Sequence, residues 1–118
     1  MIDLHARVQI LVQPDQRVAL RRFFSEALGL LPVSDEDDIL VWRFTNGGAL
    51  CAQFSLDALD HKLAARGAWL EVVSDERVHV EERIRSTGAR VFYVGKSERT
   101  HFELPGGQVL RLSSPEEL

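Results

Sequence analysis

"FELPGGQVLRLSS", running from Phe102 to Ser114, is the stretch whose reading decides the fold. Pro105-Gly106-Gly107 is turn chemistry, and the segments on either side alternate like strands, so the stretch reads as a β-hairpin. On its second strand Leu110 and Leu112 alternate with Val109, Arg111 and Ser113. Successive side chains of a strand point to opposite faces. One face is therefore apolar, and the other carries an arginine at its middle. Whether Arg111 looks into water or into a site is the question the hairpin raises.

Asn46-Gly47-Gly48 is a second such turn, placed between strands expected at 39–45 and 49–55. Gly47 and Gly107 are 60 residues apart, as are Asp15 and Asp75, while Gly29 and Gly88 are 59 apart. Each aspartate is expected to cap a helix start, and Gly29 and Gly88 to close the helices in the left-handed conformation. The helix after Asp15 carries Val18, Leu20, Phe23, Phe24, Ala27 and Leu28 at helical spacing. The helix after Asp75 has mainly Val78, Val80 and Ile84, and is expected to be less deeply buried. Strands are expected at 6–12, 31–34, 68–73, 90–94, 100–104 and 108–113. Matched landmarks in matching order point to an internal duplication. The reading is one α+β domain over residues 1–118. Its first βαβββ half spans about 5–56, its connector 57–67 and its second half about 68–114.

A single helix covers only one face of a four-stranded sheet. Val8, Ile10 and Val12 alternate on the first strand and are expected to face the helix, which leaves Arg7, Gln9 and Leu11 on the uncovered side. Val109, Arg111 and Ser113 take the uncovered side of the last strand by the same logic.

Composition narrows the function. The chain has 118 residues, a net charge of −4 and one cysteine, Cys51. That cysteine excludes an internal disulfide and fits a reducing, cytoplasmic setting. No apolar run is long enough to span a bilayer, so no membrane partner is expected. Residues 1–60 hold 5 basic and 9 acidic side chains, and residues 61–118 hold 9 of each, so no basic surface points to nucleic acid. The run Asp35-Glu36-Asp37-Asp38 reads as a solvated turn.

Three stretches, 8–30, 70–89 and 102–114, together resemble the vicinal-oxygen-chelate superfamily, which includes glyoxalase I, bleomycin-resistance proteins, extradiol dioxygenases and fosfomycin-resistance enzymes. The resemblance implies tandem βαβββ modules forming a cupped mixed sheet with the helices outside, commonly completed by a homodimer. Phe102, Pro105, Gly107, Gln108, Leu110 and Leu112 fit the family's closing motif. Carried over position by position, the family's metal ligands fall on Arg7, near Cys51, near Gly67 and on Arg111, where the family usually has glutamate. Arginine stays protonated and has no lone pair to give. The expectation is a cup with no metal and no cofactor that binds a small organic ligand, anionic if the arginines hold it. Its lining candidates are Arg7, Gln9, Cys51, Gln53, Trp69, Glu71 and Arg111.

Each candidate also has a plain structural reading. Arg7 and Arg111 can be solvated or paired with Glu71, Trp42 and Trp69 can be core or dimer contacts, and Cys51 can be a small buried apolar residue. Tyr93 is a weaker lining candidate. No catalytic residue is assigned. Two alternatives stand beside the binding reading: a metal-dependent lyase or dioxygenase with a displaced site using His5, and an accessory or regulatory domain without catalysis.

Overall fold

The computed structural model describes residues 1–96 and 98–117. They form two four-stranded sheets. In the first, β1 (Arg7–Val12), β2 (Ser34–Glu36), β3 (Ile39–Arg43) and β4 (Ala49–Phe54) are ordered β1-β4-β3-β2, with β1 parallel to β4. In the second, β5 (Trp69–Val73), β6 (Val91–Phe92), β7 (Thr100–Glu103) and β8 (Val109–Ser113) repeat that order as β5-β8-β7-β6, with β5 parallel to β8. Helix α1 (Arg17–Ala27) crosses between β1 and β2, and α3 (Arg77–Ser86) crosses between β5 and β6. A single turn, α2 (His61–Ala64), lies in the connector, capped by the Asp60 carboxylate on the Leu63 N–H. The duplication is thus present strand for strand.

The core is one cluster drawn from both halves. On the first sheet, Leu40, Trp42, Leu50, Ala52 and Val12 meet Leu20 and Phe24 of α1, and the Phe24 and Trp42 rings stack at 3.9 Å. On the second, Phe102, Leu110 and Leu112 meet Val80 and Ile84 of α3. Phe23 joins the two by stacking on Phe102 at 5.9 Å. Arg83 of α3 donates to the Ala27 carbonyl of α1 at 3.0 Å. Each helix therefore lies on the covered side of its own sheet, and the two helices touch. Each uncovered face is the side of its sheet away from its own helix.

Alternation holds only in part on β1: Val12 is buried, Ile10 is half-buried, and Arg7, Gln9 and Leu11 are exposed, but Val8, expected to face the helix, is exposed too, because it lies near the open end of an edge strand. Gly29 and Gly88 have φ of 68° and 81° and end their helices. The expected caps differ. Asp15 lies inside a 3₁₀ turn, Pro14–Gln16, and α1 starts from Gln16 with no side-chain cap. Asp75 is not a cap either, since α3 starts from Glu76 and the Ser74 hydroxyl accepts the Glu76 N–H. The acidic run is not simply a solvated turn. Ser34–Glu36 is the edge strand, so the strand expected at 31–34 sits later, and Asp35 accepts from Arg17 and Arg21 at 2.6 and 3.0 Å. The α1 arginines neutralise the strand's charge and allow it to pair.

One turn is pinned. At Gly107, with φ of 103°, a Cβ would lie 2.3 Å from the His61 carbonyl, so the β7–β8 turn docks on the connector. Gly47, its counterpart, has nothing within 4 Å.

Because Phe23 alone of the α1 aromatics reaches the second sheet's aromatic core, Phe23→Ala removes the stack that joins the halves. It is expected to lower the unfolding free energy by about 3–5 kcal/mol, measured by urea denaturation.

Candidate functional site

The uncovered face of the second sheet carries the densest set of interacting polar and aromatic groups. Parallel pairing sets Glu71 beside Arg111 and Val73 beside Ser113, and antiparallel pairing sets His101 beside Arg111. Strand phase then puts Trp69, Glu71, His101, Arg111 and Ser113 on one face. The Glu71 carboxylate is its hub. Its Oε2 accepts from Arg111 Nε at 2.6 Å and from the Ser113 hydroxyl at 2.7 Å, with an Arg99 nitrogen at 3.3 Å. The hydrogen bond from Arg111, helped by Ser113 and by the charges of Arg111 and Arg99, holds Glu71 below the usual carboxylate range against the smaller cost of burial. Arg99 also reaches the Glu117 backbone carbonyl, which ties the C-terminal turn to the same face.

Trp69 is 47% exposed and meets His101 edge-on at 4.8 Å. Phe92 stacks on the other side of that imidazole at 5.5 Å. His101 was not among the expected lining residues. Alternation with Phe102 places it on the open face, but its burial depends on two aromatics distant in sequence.

The first sheet's uncovered face is plainer. Gln9 donates to Gln53 at 2.7 Å, and Cys51, register partner of Gln9, is fully buried between strands. Arg7 is exposed at the start of β1, and among the described residues Glu71 pairs with Arg99 and Arg111 and not with Arg7. The seven expected residues therefore form two groups on two faces: Arg7, Gln9, Cys51 and Gln53 on one, and Trp69, Glu71 and Arg111 on the other. Trp42 is core, fully buried on the helix side. Tyr93 is exposed just past β6. His5 lies exposed ahead of β1.

Metal-ligand chemistry does not fit either group. Arg111 offers only N–H donors, and the Glu71 oxygen facing it already holds three partners. Among the described residues no cluster of three or more His, Cys, Asp or Glu side chains could hold a metal ion.

Two concave regions stand out, one of them away from this face and the other at its border. A groove of about 830 Å³ runs between α1 and residues 86–90. Its buried carboxylate, Glu103, is spoken for by His61 at 2.7 Å and Arg90 at 2.6 Å. A more apolar groove of about 520 Å³ lies between the sheets, with Val8 and Leu50 on one side and Leu70, Glu71, Val72 and Leu110 on the other, so it borders the Glu71 face.

Glu71 meets these partners only in the folded chain, so its folded pKa lies below the unfolded value of about 4.3. Its stabilising contribution is full above that value and is lost as pH falls through the folded one. The stability gap between the wild type and Glu71→Gln is expected to close as pH drops below about 4.3. Urea titrations across that range measure it.

No family model matches the sequence, and no curated protein matches it. Solved structures do match in fold. A glyoxalase-related enzyme from Fulvimarina pelagi superposes with a TM-score of 0.74 at 15% identity, covering 98% of this chain and 90% of that one. The fosfomycin resistance protein FosX from Listeria monocytogenes, complexed with Mn(II) and sulfate, gives 0.74 at 12%, covering 97% and 91%. TnmS3, an antibiotic binding protein from Streptomyces sp. CB03234, gives 0.70 at 15%, covering 97% of each chain. The chain thus has the paired βαβββ fold of the vicinal-oxygen-chelate superfamily.

Proposed function

We propose that the chain is a small-molecule-binding domain that takes its ligand without a bound metal, and that two copies pair to build the binding cup. One observation carries the reading. At the centre of an open sheet face stands an arginine fixed by Glu71, flanked by a half-exposed tryptophan, where a metal enzyme of this fold would present a glutamate. A guanidinium held in place by a carboxylate keeps spare N–H donors in a defined direction, which suits a carboxylate or similar anionic group. The antibiotic-binding neighbour is a precedent for binding on this fold, and a fold by itself assigns no activity.

Pairing follows from where the faces point. A cup needs two open faces turned toward one another, and the halves of one chain meet through their helix sides. The free edges of β1 and β5 supply the means, since among the described residues each strand pairs on one side only. Val8, Leu11, Trp69 and Val73 are exposed along them. Exposed apolar edge strands invite pairing with another chain. A symmetric pair sets the first sheet of one copy, with Arg7, Gln9 and Gln53, opposite the second sheet of the other, with Trp69, Glu71 and Arg111.

Light scattering on the purified chain is expected to give about twice its 13.3 kDa mass. A monomer at micromolar concentration overturns the shared cup. A thermal-shift screen of organic acids is expected to yield compounds that raise the melting temperature equally with and without EDTA. Arg111→Ala abolishes their effect. Binders that need added metal, or that ignore Arg111→Ala, overturn the reading.

A further inference from the structure

His101 is 1% exposed, and its two ring nitrogens are treated differently. Nδ1 lies 3.2 Å from the Arg99 carbonyl oxygen. A carbonyl only accepts, so Nδ1 carries the proton and Nε2 of the neutral ring holds a lone pair. Burial pushes the imidazole toward that neutral form, reinforced by the Arg111 charge and opposed by the Arg99 carbonyl and Glu71. Nε2 is itself buried and has no hydrogen-bond partner among the described residues. An acceptor left in that state is costly, and each such group calls for a partner or a role.

The cover over this ring is of a particular kind. Phe92 stacks at 28° to it, and Trp69 closes the other side at 68°. Trp69 is half exposed and stands at the start of a strand with a free edge. Of the two rings against the imidazole, Trp69 is the more exposed. Beside it the Arg111 guanidinium is held by Glu71 through its Nε.

We propose that Nε2 of His101 accepts a hydrogen bond from the hydroxyl of a planar aromatic acid whose ring packs on Trp69 and whose carboxylate meets Arg111. This rests on the ligand-binding reading above and adds to it a residue and a ligand class. The hydroxyl supplies the missing donor, the ring packs on the indole, and the carboxylate meets the terminal N–H donors of Arg111.

The test compares para-hydroxybenzoate with para-toluate, which differ only by hydroxyl against methyl, titrated into the full chain by calorimetry. The hydroxy acid is expected to bind about tenfold more tightly, as one buried hydrogen bond allows. His101→Phe, which keeps the packing, removes the difference. Trp69→Ala weakens both acids alike. A proton–nitrogen correlation spectrum of the histidine ring is expected to show Nε2 shifting with para-hydroxybenzoate and not with para-toluate, a change that a purely structural histidine does not make. Equal affinities, or a preference that survives His101→Phe, overturn the inference and leave the binding face intact. So does binding of neither acid while other compounds still act through Arg111. Binders that are all indifferent to Arg111→Ala bring down the underlying reading instead.

Discussion

Helix α1 has to satisfy two sheets at once. Phe24 lies flat on Trp42 in the first sheet, and the adjacent residue, Phe23, lies flat on Phe102 in the second. Adjacent helical residues point about 100° apart, so a helix with neighbouring aromatics can serve two surfaces only if it lies between them. That placement decides the rest. It brings α1 against α3, merges two small cores into one, and leaves each uncovered face on the side away from its own helix. A half of some 50 residues buries too little surface to stand alone, and the shared helix layer gives each half the core it lacks.

Uncovered faces change what an arginine on a sheet means. Arg111 is neither loose in solvent nor neutralised in the core. Its partner Glu71 comes from the neighbouring parallel strand, and Ser113, two residues along, reaches the same oxygen. The pair is about a quarter to a third exposed, where an isolated ion pair adds little stability. Its effect is geometric. It fixes the direction of the guanidinium and depresses the carboxylate pKa, so the face keeps the same charge pattern across the neutral range.

Much of this was legible in the sequence because period-two alternation and glycine turns are local signals. The 102–114 hairpin, the 60-residue spacing and the inward set Val12, Leu110 and Leu112 follow from them directly. The two caps misled because Asp15 and Asp75 sit close to helix starts without being the residue where the backbone turns. The edge strand at 34–36 was hidden by its charge, which reads as loop until Arg17 and Arg21 are seen across from Asp35. The division of the seven candidate residues between two sheets, and the burial of His101, depend on contacts between distant segments. No periodicity encodes those.

The two glycine turns began as equivalents and now live under different rules. Gly47 turns in open space, whereas Gly107 is seated against the connector. A duplicated chain keeps its copies alike only where their surroundings are alike. The linker that joins them has no twin, and by resting on one copy's turn it makes that copy the one that must stay still. The first hairpin is therefore free to drift in length and composition, and the second is tied to whatever the linker becomes. In this molecule the asymmetry between two similar halves is introduced by the segment that belongs to neither.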